Sequence, residues 1–282
     1  MTVRVVCDSA CDLPSAVVDE SGIVVVPLHI RFGTIELVDR EQLSTKEFWA
    51  RCASSAELPE TAAPSPGAFT AAFESLVSDG ADGIVCVTLS SKLSATGEAA
   101  AQAARAFGRV PVAVVDSLSV TVGEGMVALA AADAAARGSD LGGVVSAAES
   151  ARARLSVFGA IDTLDNLRKG GRIGGAAAAL GTLLSIKPVI EVRNGVVEQE
   201  SRQRTRAKSL RYLADKVRAA GALERLAVMG ADAADLDQVL DLLVDVKSEY
   251  PRITGDIGPV IGTHAGRGAI GVAWVTASEG VT

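Results

Sequence analysis

The sequence is poor in aromatic side chains and in histidine: Phe, Trp and Tyr make up 4% of 282 residues, and there are two histidines. An interior with so few rings must be filled by Ala, Val, Leu and Ile, so any cavity in it has aliphatic walls. Such walls suit a flexible alkyl chain better than a stacked purine or sugar ring. Cysteine is sparse as well. Cys7, Cys11, Cys52 and Cys86 are scattered, and the first two lack a second pair and a nearby histidine, which argues against a zinc site. Thiols of this kind without a secretion signal imply a reducing cytoplasm. The opening MTVRVVCDSACDLP has no basic, apolar and cleavage regions of a signal peptide. With no run of about 18 apolar residues, no membrane span is expected, and at most a transient contact with a membrane surface. Nucleotide and hydrolase signatures are missing too: the chain has no G-x-x-x-x-G-K-[ST], no G-x-G-x-x-G after the first strand and no G-x-S-x-G elbow.

What is present is a chain with 49% hydrophobic and 22% charged residues, enough for a large core in one or two domains. A net charge of −7 argues against non-specific nucleic-acid binding. That charge is uneven. Between Arg168 and Arg211 ten basic residues face three acidic ones, a local +7, and the remainder carries −14. This segment is either a solvated helix face and hairpin or a docking surface for an anionic group or acidic partner.

Apolar β-branched runs alternate with Ala-rich helical patterns, the mark of α/β architecture. Strands are expected at Val3–Cys7, Ile23–Phe32, Ile35–Val38, Gly83–Leu89, Val110–Val115, Leu155–Ile161 and Leu226–Met229. Helices are expected at Pro14–Glu20, Ser44–Ser54, Pro66–Val77, after Thr96 to about Phe107, Thr121–Arg137, Asp140–Arg154, Thr163–Lys169, Ala176–Leu184, Arg204–Ala219 and Leu236–Tyr250. Ser44 and Glu47 have capping-box spacing. Asn194-Gly195, between Val189–Val192 and Val196–Glu200, signals a type I′ hairpin. Ser55–Pro64 reads as a loop, and the stretch Ile257–Val272 reads as two apolar runs joined by a loop with Thr263, His264, Gly266, Arg267 and Gly268. The two domains are expected to span residues 1–155 and 156–282.

Strand ends gather ligand-binding residues in α/β proteins. Asp8 to Pro14, Thr61 to Gly67, Thr88 to Thr96 and Asp116 to Ser119 qualify. Their hydroxyls read first as helix caps and their aspartates as turn formers. Ser94, just before a helix, also suits an anion held at a helix start. His264 serves either as a local structural residue or as part of a site, and with Ser94 it could form a nucleophile–base pair.

Taken together and in order, these motifs resemble the DegV family of bacterial fatty-acid-binding proteins. The resemblance lies in Asp8-Ser9-x-x-Asp12-Leu13-Pro14, Thr61-x-x-Pro64-Ser65-Pro66-Gly67-x-Phe69, Leu89-Ser90-Ser91-x-Leu93-Ser94-x-Thr96, Asp116-Ser117, Lys169-Gly170-Gly171-Arg172-Ile173, Lys187-Pro188, and Gly262-Thr263-His264-x-Gly266-x-Gly268-Ala269-Ile270-Gly271. It implies two α/β domains with a fatty acid buried between them. It also implies no catalytic residue, cofactor or metal in this chain. The acyl carboxylate would be held by Thr61, Ser94 and His264 and presented to a separate fatty acid kinase, which makes acyl phosphate for phospholipid synthesis. Arg172 and Arg204 match family arginines near the carboxylate entrance or the kinase contact. The chain departs from the family pattern at Ala95, at Ala62-Ala63 and at Arg267, whose added cation could meet the head group or alter docking. A Ser94/His264 hydrolase or acyltransferase and a lipid sensor without a kinase are the rival readings.

Overall fold

A computed structural model describes residues 1–55, 57–179 and 186–278. In chain order the strands and helices begin with β1 (Val3–Asp8), α1 (Ser15–Ser21), β2 (Val24–Val26), β3 (His29–Phe32), β4 (Ile35–Val38), α2 (Thr45–Ser54), β5 (Glu60–Ala62) and α3 (Pro66–Ser78). They continue with β6 (Gly83–Thr88), α4 (Thr96–Ala106), β7 (Val112–Asp116), α5 (Val122–Ala136), α6 (Leu141–Arg154), β8 (Leu155–Ala160) and α7 (Asp165–Lys169). The remainder is β9 (Lys187–Arg193), β10 (Val196–Gln203), α8 (Arg206–Ala219), β11 (Leu223–Gly230), α9 (Leu236–Leu242), β12 (Ile253–Asp256), α10 (Pro259–Ala265) and β13 (Ile270–Thr276).

The α/β class expected from the patterning is the one observed. The four-stranded sheet β2-β1-β6-β7 is parallel throughout, and a six-stranded mixed sheet runs β10-β9-β8-β13-β11-β12. An antiparallel three-stranded sheet, β4-β3-β5, completes the framework. In the parallel sheet the strand order reverses between β1 and β6, the topological switch point where such sheets open a crevice at their carboxyl ends. Between the two larger sheets lies α5, in contact with β1 and with β8, β11 and β13. Its sequence VGEGMVALAAADAAA has no polar stripe, and a helix that is apolar all round is stable only when covered on every side.

Local chemistry explains most boundaries. Ser44 accepts from Glu47 N and caps α2, Ser65 caps α3 ahead of Pro66, and Asp140 caps α6. Asn194 and Gly195 both have positive φ, 51° and 82°, as a type I′ turn requires.

Four expectations are corrected. The run Ile23–Phe32 is two strands, because Pro27 brings no N–H and the chain leaves the parallel sheet there for the antiparallel one. The supposed loop Ser55–Pro64 contains β5, whose strand geometry comes from pairing with β3 rather than from any alternation of its own. The helix begun at Leu236 stops at Leu242, not Tyr250. Asp241 and Asp245 oppose the helix dipole there, and the backbones of Glu249 and Tyr250 bond instead to Leu223 and Glu224 at the start of β11. Finally, the first apolar run of the histidine stretch is a helix, α10. Pro259 sits at its start, Thr263 Oγ1 donates to Pro259 O at 2.8 Å, and His264 lies in its last turn. Of the helix expected over Ala176–Leu184, the described part is a 3₁₀ turn at Gly174–Ala179, and residues 180–185 lie outside the described residues.

Candidate functional site: an aliphatic cavity with a polar corner

Strands of the three-stranded and six-stranded sheets, with loops that follow strands of the parallel sheet, line a cavity of about 190 Å³. Leu28 comes from the β2–β3 junction, Leu89 and Leu93 from the loop after β6, Ile190 and Val192 from β9, Val197 from β10, and Val260 and Ile261 from α10. These walls are aliphatic, as the scarcity of rings required. Polar groups enter at one place. Thr61, Ser94, Arg172 and His264 all line this cavity, although they lie far apart in the chain.

Each is positioned by a separate device. Thr61 is the middle residue of β5, opposite the buried Ile30 of β3. His264 is carried by α10, and the residue just before that helix, Gly258, donates its N–H to the buried Asp12 carboxylate at 2.9 Å. Together these elements bring Thr61 Oγ1 and His264 Nε2 within 3.0 Å. Nδ1 of the same ring is buried and has no hydrogen-bond partner among the described residues. It packs on Gly170, where a Cβ would fall 2.4 Å from Nδ1, so this close approach needs glycine. Burial, reinforced by the Arg172 charge, pushes the imidazole down to about 4, so the ring is neutral near pH 7.

Ser94 sits before α4, but the cap residue of that helix is Ala95, with no side-chain cap bond. The Ser94 hydroxyl instead meets Thr96 Oγ1 at 2.9 Å and accepts from Thr96 N at 3.3 Å. Its neighbours hold the loop rigid. Ser90 Oγ donates to Gly195 O at 2.7 Å, Lys92 Nζ to Asn194 O at 2.8 Å, and Ser91 Oγ to Asp116 Oδ2 at 2.6 Å. The type I′ turn of the second sheet is therefore clamped onto the serine loop of the first, a long-range role the sequence did not announce. Arg172 ties the same region: Nε donates to Leu93 O at 3.1 Å and Nη1 to Gly170 O at 2.6 Å.

The other two arginines lie elsewhere. Arg204 is exposed and does not line the cavity. Arg267 also stays off its wall: its side chain is 62% exposed and its Nε donates to Asp232 Oδ2 at 2.6 Å. Much of the basic segment is already paired, Arg168 with Asp165, Lys187 with Asp162, Arg193 with Glu191 and Glu200, and Arg206 with Asp235. Among the described residues no group of three or more His, Cys, Asp or Glu is arranged for a metal ion. No helix among them is long and apolar enough to cross a membrane.

Residues 2–277 match a family model described as an uncharacterised protein of the DegV family. The chain belongs to the DegV family. A DegV domain-containing protein of Streptomyces coelicolor is 37% identical over 274 residues, which cover 96% of this chain and 97% of that one. Among solved structures, a fatty-acid-binding DegV protein from Thermus thermophilus superposes with a TM-score of 0.88 at 31% identity, covering 98% of this chain and 100% of its own. A DegV protein from Ruminococcus gnavus, whose structure is described with vaccenic acid, gives a TM-score of 0.85 at 26% identity over 97% of this chain and 99% of its own. The fold of this DegV chain is thus the two-domain α/β fold of those structures.

Proposed function

We propose that this chain binds a long-chain fatty acid, tail in the aliphatic cavity and carboxylate at Thr61, Ser94 and His264, and presents that carboxylate to a separate fatty acid kinase. The observation that carries the reading is the Thr61–His264 pair, 3.0 Å apart on the wall of an otherwise aliphatic cavity. Burying an acyl chain at ~0.8 kcal/mol per CH₂ contributes roughly 10 kcal/mol gross, from which the cost of association is subtracted. A buried carboxylate then needs donors. A neutral imidazole supplies one indirectly: with Nε2–H given to Thr61 Oγ1, the threonine O–H is free to point at the ligand. Ser94 provides a second hydroxyl, and Arg172 sets a favourable potential. Fatty acid binding in the similar proteins from Thermus thermophilus and Ruminococcus gnavus supports the same assignment.

Kinase transfer joins a carboxylate oxygen to the γ-phosphorus of ATP and releases ADP, so the carrier itself needs no catalytic group, cofactor or metal. Exposed cations around Arg172 and Arg204 form the docking face for an acidic kinase surface, in a cytoplasmic setting. The halves that enclose the ligand divide at residues 155 and 156. For a hydrolase, Ser94 would have to bond His264 with a carboxylate behind the ring. Here Ser94 bonds Thr96, Nε2 bonds Thr61 and Nδ1 has no partner among the described residues, contacts that favour the carrier. A lipid sensor would share the ligand and differ only in having no kinase.

Lipid extraction of the purified protein and mass spectrometry test the reading. Recovery of an acyl chain is expected; no acyl chain and no binding of added fatty acids would overturn it. Acyl phosphate formed by a cognate kinase and ATP separates carrier from sensor.

A further inference from the structure

Two thiols meet at the carboxyl end of β1, and neither lines the aliphatic cavity. Cys7 lies in β1 and Cys11 ends the 3₁₀ turn Ser9–Cys11, and both are fully buried. The turn folds the chain back on the strand, so that the Cys7 thiol donates to Cys11 Sγ. Arg40 Nη2 donates to the same sulfur at 3.6 Å, and the guanidinium is fixed there by Leu13 O at 3.1 Å and Ser9 O at 3.4 Å. Donors and a nearby cation favour a thiolate. Cys11 is accordingly lowered, first by the Cys7 bond and also by Arg40, against the opposing effect of burial. The same bond, with burial, raises Cys7. A nucleophilic sulfur and a protonated one therefore lie side by side. The other thiols are placed differently. Cys86 pairs in register with Val6 and shares its face of the parallel sheet, whereas Cys7 pairs with Val87 on the other face. Cys52 lies on α2. A cavity of about 410 Å³ opens beside the pair, and Arg40, an exposed residue, lines it together with Asp12 and Leu13. On that side a flexible side chain lies against the Cys11 sulfur.

We propose that Cys7 and Cys11 form a reversible disulfide, made by hydrogen peroxide and undone by a small thiol, and that this bond lowers fatty acid affinity by displacing α10. The Cys11 thiolate attacks one peroxide oxygen and the O–O bond breaks. Cys11 becomes a sulfenic acid, and the departing hydroxide takes up the proton that Cys11 had released and leaves as water. The Cys7 sulfur then attacks the Cys11 sulfur. An S–S bond forms, the S–O bond breaks, and the oxygen leaves as a second water with the Cys7 proton. One peroxide is reduced to two waters, and two thiols are oxidised to one disulfide. Two molecules of a small thiol reverse the step and leave as their own disulfide. In a reducing cytoplasm such a bond is transient, as a switch requires. Geometry links it to the ligand. A disulfide holds its sulfurs about 2 Å apart, well inside hydrogen-bonding distance, so Cys11 is drawn toward β1 and away from Arg40. Asp12 follows Cys11 in the chain, and its φ of 49° leaves the backbone little room to absorb the shift. Its carboxylate holds Gly258 N at 2.9 Å and Thr121 Oγ1 at 2.7 Å. The pull thus reaches the start of α10, the helix that sets His264 against Thr61. The affinity change rests on the fatty-acid reading of the cavity; the disulfide and the movement of α10 do not.

The test titrates the full chain with hydrogen peroxide, then unfolds it in an alkylating reagent. Peptide mass spectrometry should find the peptide with Cys7 and Cys11 lighter by two hydrogens and unalkylated, with Cys52 and Cys86 alkylated, and a small thiol should restore the free pair. Oxidation should weaken binding of a long-chain fatty acid about tenfold, the scale of one displaced hydrogen bond, and shift the His264 ring signals in the NMR spectrum. Cys7→Ala, or Cys7→Ser should the alanine variant not fold, should show neither change. Free thiols at both positions after oxidation overturn the proposal. So does a disulfide that leaves the His264 signals or the affinity unmoved, or an affinity loss that persists in the Cys7 variant. Failure of the reduced wild-type protein to bind fatty acid overturns the fatty-acid reading and the affinity change, while mass and the His264 signals still decide the disulfide and the movement of α10.

Discussion

Two clusters of polar side chains lie near each other in this fold and do opposite things with their hydrogen bonds. At the carboxyl end of β1, Asp8 and Asp12 are buried and fully engaged. Asp8 accepts from Ala10 N at 3.0 Å and Leu89 N at 2.9 Å, and Asp12 from Gly258 N at 2.9 Å and Thr121 Oγ1 at 2.7 Å. Arg40 adds a donor to Leu13 O at 3.1 Å, and the buried Glu124 carboxyl, held protonated by burial and by Asp8, lies beside them. The bonds to Leu89, Gly258 and Thr121 tie distant segments of chain together. In the cavity cluster, Thr61 and His264 share one short bond, Ser94 bonds to Thr96 in its own loop, and all three line the aliphatic cavity. A hydroxyl and a cation occur in both places. What separates a brace from a receptor is whether the polar groups join chain segments or line a cavity.

The largest expected effect breaks the brace. Asp12→Ala removes the acceptor for two donors that join β1, α5 and α10, and should cost about 3 kcal/mol of unfolding free energy. Chemical denaturation reads it directly. A loss under about 1 kcal/mol would mean water or neighbouring groups replace the carboxylate at no great cost. Asp12→Asn retains one acceptor and should fall between.

The converse substitution breaks the receptor. Thr61→Val keeps the shape of the side chain and deletes its hydroxyl, so it should weaken fatty acid binding by about 2 kcal/mol, close to thirtyfold, while leaving unfolding free energy within about 1 kcal/mol. Binding calorimetry and denaturation on the same sample decide it. Equal losses of stability and affinity would make the pair a second brace.

Proton linkage sharpens the contrast because the two clusters shift in opposite senses. Burial raises Asp8 and Asp12 to about 7 from their ordinary carboxylate range. The folded state then holds protons that the unfolded state has released, so their contribution is full below about pH 4 and lost as pH rises through 7. His264, lowered to about 4 chiefly by burial, contributes above about pH 6.5 and loses its contribution as pH falls through 4. Stability should therefore decline between pH 5 and pH 8 in the wild type, and less steeply in Asp12→Asn. An NMR titration of His264 should show a neutral ring down to pH 5. A midpoint near 6.5 would mean that the imidazole is solvated and not part of a dry corner.

The same distinction marks how far the sequence could be read. Signals that act within a few residues were legible: the Ser44 cap, Pro66 and the Asn194-Gly195 turn. Elements created by their partners were not. β5 has no pattern of its own and exists because β3 offers a free edge, and α10 was hidden in a stretch whose glycines and Thr263 read as a loop. Thr61, Ser94 and His264 were picked by motif order, and the fold does set all three on one cavity. Nothing local told Arg172, which faces that cavity, from Arg204 and Arg267, which do not. The clamp of Gly195 on Ser90 and the packing of Gly170 on the His264 ring were equally silent, since each depends on a segment distant in the chain.

The smallest expected effect comes from the cation beside the histidine in sequence. Arg267 follows His264 by three residues, yet α10 has already ended at Ala265 and the chain turns through Gly266 and Gly268 with positive φ. That turn sends the guanidinium to Asp232, on the surface, and away from the cavity wall. Exposed ion pairs contribute little because water screens them and two long side chains must be held still. Arg267→Ala should therefore change unfolding free energy by under about 0.5 kcal/mol and fatty acid affinity by under about twofold. Arg172→Ala, measured alongside, should lower the affinity severalfold by removing the charge at the polar corner. Equal losses from the two substitutions would show that field from the protein surface, rather than direct lining of the cavity, governs the carboxylate.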